Sequence, residues 1–199
     1  MSGLLFVISA PSGGGKDAVI AKLLKIIPNS GRLVTTTSRL PRPGEREGVN
    51  YYFISTDEFK KKIANDELVE YNFYAENYYG AEKNILKKFL RGHDVVFSTT
   101  EVNGKHNFDK LKIQNIGIFL LPESLEILKD RIERRGGTTP ESLRERLRLA
   151  EQEIKESKDY QYHVVNKDGA IDETVEKIAE IVMKELNNTG TLDKKPDFR

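Results

Sequence analysis

Residues 4–17 read Leu4-Leu5-Phe6-Val7-Ile8-Ser9-Ala10-Pro11-Ser12-Gly13-Gly14-Gly15-Lys16-Asp17, and the way this stretch folds decides the class of the chain. Gly3 to Ile8 is a short apolar, partly β-branched run, which reads as a buried strand. Ala18 to Ile27 carries apolar residues at helical spacing until Pro28 stops it. Between them, three consecutive glycines can adopt positive φ and leave the backbone open to close approach. Successive N–H groups of such a turn can face phosphate oxygens, the helix N-terminus adds its positive dipole end, and Lys16 adds a full charge. Strand, glycine turn and helix together make a phosphate-binding P-loop. Two positions depart from the usual pattern: Ala10 stands where the first Gly is expected, and Asp17 stands where a Ser or Thr holds magnesium. Asp17 has two readings, as a harder oxygen ligand for Mg²⁺ or as a favourable anion in the first helical turn.

Outward from this loop, strands and helices alternate. Strands are predicted at Val34 to Ser38, Tyr51 to Ile54, Asp94 to Thr99, Ile116 to Leu121 and Tyr162 to Val165, with short aromatic-rich strands over Leu68 to Gly80. Helices are predicted at Ser55 to Ile63, at 81–90, near Gly104 to Leu111, as two helices within Glu123 to Lys155, and at Ile171 to Leu186. Ser55 and Glu58 have the spacing of a capping box. This alternation predicts a parallel sheet covered on both faces, interrupted by an insert from Val34 to Glu82 that forms a lobe of its own. The 199 residues contain no cysteine, and 32 Lys+Arg nearly balance 31 Asp+Glu. That balance argues against a main task of gripping nucleic acid. The apolar run at Leu4 to Ile8 is too short for a membrane span and lacks a signal-peptide cleavage pattern, so membrane insertion and secretion have no support.

A second segment is as specific as the first. Ser38-Arg39-Leu40-Pro41-Arg42-Pro43-Gly44-Glu45 is followed by Gly48 and Tyr51-Tyr52-Phe53. Two arginines in a Pro/Gly-stiffened loop offer rigid forks for a dianionic phosphate, and Tyr51 can donate its hydroxyl. A solvated basic loop would need neither this order nor the aromatic strand after it. The segment closely resembles the monophosphate-binding segment of guanylate kinases, and the resemblance runs from Leu4 to Leu186.

The resemblance implies a base-reading carboxylate at Glu70, a second phosphate-binding tyrosine at Tyr79 beside Gly80, and a base contact from Thr35. Glu45 and Glu101 join the expected GMP contacts. A carboxylate that accepts from guanine N1–H and the exocyclic amine rejects adenine, whose N1 carries no proton. Glu70 also has the plainer reading of a surface acid on a strand. Arg131, Arg134, Arg135, Arg144 and Arg146 resemble the family's arginine-rich lid. The best register puts Arg135 and Arg146 on the transfer centre with Arg131 in support, and leaves Arg134 and Arg144 as solvated charges. Asn166 is either a polar contact beside the adenine of ATP or an ordinary strand-end Asn. The family's Asp-x-Asp is reduced here to Thr99 and Glu101, and Ala81 replaces a hydroxyl residue.

The expected architecture is therefore an α/β P-loop three-layer fold with a parallel sheet, an inserted nucleoside-monophosphate-binding lobe and a helical lid. Residues 1–33 and 83–187 would form the core, with the lid at about 130–147; residues 34–82 would form the GMP lobe and 188–199 a tail without structure. The expected activity is transfer of the γ-phosphoryl of Mg-ATP to GMP or dGMP, giving GDP and ADP. Catalysis would rest on Lys16, Arg135, Arg146 and Arg39. ATP would be held by Ala10, Pro11, Ser12, Gly13, Gly14, Gly15, Lys16, Asp17, Arg131 and Asn166. GMP would be held by Thr35, Arg39, Arg42, Glu45, Tyr51, Glu70, Tyr79, Gly80 and Glu101, with Asp17 on Mg²⁺. Two rivals remain open: a P-loop kinase for another small phosphorylated acceptor, and a non-catalytic guanylate-kinase-like interaction module. The expected partners are small molecules only, without nucleic acid, membrane or obligate protein partner, in the cytoplasm.

Overall fold

The computed structural model describes residues 3–74, 76–134 and 136–189. Its first strand is β1 (Leu4–Ser9), followed by helix α1 (Lys16–Ile26) and strand β2 (Ser30–Arg32). The insert supplies β3 (Thr36–Thr37), β4 (Tyr52–Phe53), α2 (Thr56–Ala64), β5 (Leu68–Tyr74) and β6 (Asn77–Glu82). The chain then continues through α3 (Lys83–Gly92), β7 (Val95–Thr99), α4 (Val102–Lys110), β8 (Ile116–Pro122) and α5 (Leu125–Arg134). It ends with α6 (Pro140–Glu156), β9 (Tyr162–Asn166) and α7 (Ile171–Asn188).

Two sheets result. The larger is wholly parallel in the order β2-β7-β1-β8-β9. Because strand side chains alternate, Phe6 and Ile8 go to one face, where they pack with Val19, Ile20 and Leu23 of α1 and Ile178 and Val182 of α7. Leu5 and Val7 go to the other face, against Leu86 of α3 and Phe108 of α4. Both faces are covered, so the strand reads as a continuous apolar run. This is the expected three-layer α/β arrangement. The smaller sheet has the order β4-β3-β6-β5, with β3 and β4 parallel and the other pairs antiparallel.

The strand expected at Val34 to Ser38 divides differently. Ser30–Arg32 pairs with β7 in the large sheet, Leu33 N–H still bonds the Phe97 carbonyl at 2.8 Å, and Thr35 already accepts from Tyr52 N–H at 2.9 Å in the small sheet. Residues 30–37 thus cross from one sheet to the other, which shortens both strands. The Ser55–Glu58 capping box is present in both directions and starts α2 at Thr56. Pro140 at the start of α6, with Thr139 accepting from Ser142 N–H, starts that helix after a segment of glycines. On α5, Leu128 and Ile132 stand one turn apart and bury against Ala150, Leu143 and Leu147 of α6, which holds the two helices together. Residue 188, assigned to the tail from sequence, is the last residue of α7, and residues 190–199 lie outside the described residues. No helix among the described residues is long and apolar enough to cross a membrane.

Candidate active site

The loop after β1 takes the shape its glycines permit. Gly13 and Gly15 have φ of 86° and 88°, a region costly for residues with a Cβ. A Cβ on Gly15 would lie 2.6 Å from Asn166 Nδ2. Ala10 is not among the residues with positive φ and sits buried in the main core, so no glycine is needed there. Asn166 ends β9 and pins the loop: its Nδ2 donates to the Gly14 carbonyl at 2.9 Å, and its Oδ1 accepts from Thr174 Oγ1 at 3.0 Å. Both ends of that amide hold protein groups, so Asn166 positions the loop at least as much as it walls the cavity in front of it.

That cavity, about 890 Å³, is walled by Ala10 to Asp17, by Arg131 of α5, by Arg146 and Glu153 of α6, and by Asn166. Lys16 Nζ donates to the Ala10 carbonyl at 2.6 Å. Burial lowers its pKa, and the carboxylates of Glu153, Glu101 and Asp17 oppose that shift. Arg131 donates to Asp168 at 3.0 Å and to the Asn166 carbonyl at 2.9 Å. Arg134, expected to be a solvated charge, also walls the cavity and shares Asp168 with Arg131 at 2.8 Å. Arg144 is exposed and pairs with Glu141, as expected of a surface charge. Arg135 lies outside the described residues. Glu153 was missed from sequence, although it stands two helical turns beyond Arg146 on the same face of α6. Burial is the main force that pushes its carboxyl up to about 7; Lys16 opposes the shift, while Glu101 and Glu156 reinforce it.

A second cavity of about 540 Å³ is walled by the insert and by the ends of β7 and α4. It brings together Thr35, Arg39, Arg42, Tyr51, Glu70, Tyr79, Gly80 and Glu101. Tyr51 and Tyr79 meet edge-on at 6.0 Å, and the Arg39 guanidinium lies 5.5 Å from the Tyr51 ring centre. Glu45, the remaining expected acceptor contact, is not a wall of this cavity. Its carboxylate grips both nitrogens of the Arg39 fork at 2.9 Å and accepts from Arg42 N–H at 2.7 Å, so it shapes the arginine loop. Glu70 is half-buried, and its pKa is raised to about 7, first by burial and then by the Glu101 charge, against a hydrogen bond from Thr100. Lys16, Asp17 and Glu101 wall both cavities, which places the two chambers end to end across the phosphate loop.

Comparison with known proteins matches the guanylate kinase family model to residues 2–185. The chain belongs to the guanylate kinase family. A guanylate kinase of Clostridium perfringens is 39% identical over 183 residues, covering 92% of this chain and 84% of that one. One of Rickettsia prowazekii is 38% identical over 184 residues, covering 92% of both. Among solved structures, the guanylate kinase of Anaplasma phagocytophilum superposes with a TM-score of 0.70 at 29% identity over 92% of this chain and 86% of that one. Within the guanylate kinase frame, the two departures near the base have separate outcomes. Ala81 is buried in the core beneath the insert, whereas Thr99, Thr100 and Glu101 all reach the second cavity. The hydroxyl beside Glu70 therefore comes from Thr100.

Proposed function

We propose that this chain transfers the γ-phosphoryl of Mg-ATP to GMP, and also to dGMP, giving ADP and GDP or dGDP. The observation that carries the reading is the junction of the two cavities at Lys16, Asp17 and Glu101, with a backbone-lined phosphate loop on one side and an arginine–tyrosine cradle on the other. ATP phosphates lie along the N–H groups of residues 12–16, and Lys16 turns from the Ala10 carbonyl to their oxygens. Arg39, Arg42, Tyr51 and Tyr79 fix the acceptor phosphate, while Glu70 accepts from the guanine N1–H and amino group. An oxygen of that phosphate attacks the γ-phosphorus and ADP leaves on the opposite side. The acceptor is already an anion, so the protein supplies position and charge rather than a base. Arg146, supported by Arg131 and, in this proposal, Arg135, offsets the charge of the transferring group.

The carboxylates around the junction fit a hard divalent cation: Asp17, Glu101 and Glu153 wall the donor cavity. Asp17 would hold Mg²⁺ with phosphate and water oxygens completing its shell, since among the described residues no three acidic or histidine side chains cluster as a metal site. When bound, the ion offsets charge on the β- and γ-phosphates. The expected cytoplasmic location belongs to this proposal. ADP release measured with a panel of GMP, dGMP, IMP, AMP and non-nucleotide phosphorylated acceptors tests it. Turnover with GMP and dGMP and none with AMP is expected; turnover with AMP equal to that with GMP refutes it.

A further inference from the structure

Arg32 and Asp17 come from separate elements and meet at the junction of the two chambers. Arg32 Nη2 donates to Asp17 Oδ1 at 2.7 Å. Both residues wall the acceptor cavity, and Asp17 also walls the donor cavity. The backbone of Arg32 is fixed, because it ends β2 in register with Phe97 of β7. Its side chain is 41% exposed and that of Asp17 is 72% exposed, so the pair adds little to stability. Arg39 contrasts with it: that guanidinium is gripped by Glu45 through two hydrogen bonds and also donates to the Leu40 carbonyl. The charges of Arg32 and Asp17 act on the Tyr51 hydroxyl in opposite directions, which places the pair beside a tyrosine of the phosphate cradle.

We propose that Arg32 is a third arginine of the acceptor-phosphate cradle, held by Asp17 while the site is empty and released to the phosphate of the incoming monophosphate. The assignment rests on the acceptor reading given under Proposed function. A phosphate dianion carries more charge and more acceptor oxygens than one carboxylate, and it presents the planar fork with a bidentate partner. The exchange breaks one exposed ion pair and makes a stronger one. It also frees the Asp17 carboxylate on the side of the chamber where the donor phosphates lie.

Calorimetry in the absence of ATP and Mg²⁺ tests this, with GMP and guanosine as ligands. Arg32→Gln should weaken GMP about tenfold, as expected for loss of a charge-assisted hydrogen bond, and leave guanosine unchanged. Arg32→Lys should recover part of the loss. Asp17→Asn should tighten GMP about threefold, the scale of an exposed ion pair, and the gain should vanish in the Arg32→Gln background. Unchanged GMP affinity in Arg32→Gln overturns the assignment, as does an equal loss for guanosine. A gain from Asp17→Asn that persists in the double variant overturns it too, since that is plain repulsion between carboxylate and phosphate. Wild-type protein that binds no GMP overturns the acceptor reading, and the assignment falls with it; GMP binding indifferent to Arg32 overturns the assignment alone.

Discussion

If Glu70 reads the base as proposed, guanine binding should depend on pH in the range where most assays are run. Its carboxyl is held near 7 by burial and by the neighbouring Glu101 charge, and only the ionised form can accept two hydrogen bonds from guanine. The fraction competent to bind is therefore about one half at pH 7 and about one tenth at pH 6, and the apparent Kd rises by the inverse of that fraction. Between pH 8.5 and pH 6 the affinity should fall about tenfold, which is about 1.4 kcal/mol. The sign for folding is the reverse. The folded-state pKa lies above the ordinary value of 4.5, so the unliganded protein favours the protonated acid, and this contribution is lost as pH rises from about 4.5 through 7. Acid should thus stabilise the empty fold through Glu70 while it weakens the ligand. Guanosine is the better titration probe, because it lacks the phosphate whose second ionisation falls near pH 6. Calorimetry of guanosine from pH 6 to 8.5 should show the slope in wild type and a flat, weaker profile in Glu70→Gln. A flat wild-type profile, or the same slope in the variant, refutes the assignment of Glu70 to the base.

Lys16→Ala should abolish turnover while calorimetric GMP affinity stays near wild type, since the lysine serves the donor phosphates. Arg39→Ala or Arg42→Ala should raise the GMP KM and also lower kcat, by up to the order of 10², because a displaced attacking oxygen loses alignment; steady-state kinetics at saturating ATP separates the two effects. Glu153→Gln should raise the melting temperature at pH 8 and leave it unchanged near pH 4. Its folded-state pKa of about 7 lies above the ordinary 4.5, so the cost of the carboxyl builds up as pH rises from about 4.5 through 7 and is constant above, and the variant's gain should fade toward zero as pH falls below about 4.5.

The parts of the fold and site that were legible from sequence are those whose chemistry is local. Strand, three glycines and Lys16 lie next to each other in the chain, and the geometry at Gly13 and Gly15 is the one such a sequence requires. Arg39, Arg42 and Tyr51 also fall within one short segment stiffened by prolines. What escaped depends on neighbours brought in by topology. Arg32 meets Asp17 only because β2 enters the large sheet beside β7, and β2 is three residues long, too short to carry a period. Glu45 could be assigned to the arginine loop but not oriented within it: sequence order does not tell a carboxylate that faces a ligand from one that clamps Arg39. Asn166 was open between two roles, and the contact neither reading included, its bond to Gly14, spans 152 positions of the chain. Glu153 could have been found by following the face of α6 marked by Arg146, because that relation is local.

The charges of the site are displaced in the directions that the proposed substrates would relieve. Burial lowers Lys16 and raises Glu70 and Glu153, so a cation and two acids are each held away from the water that would stabilise them. Such an arrangement detracts from the stability of the unliganded protein. On the proposed function, a triphosphate would relieve Lys16, and the N1–H and amino group of guanine would relieve Glu70. An adenine would present an unprotonated N1 to the ionised carboxylate, a second acceptor facing the first, and would bring no donor in place of the guanine N1–H. Because the carboxyl lies near 7, its neutral form could donate to adenine N1, so on this reading discrimination against adenine should sharpen as pH rises above 7.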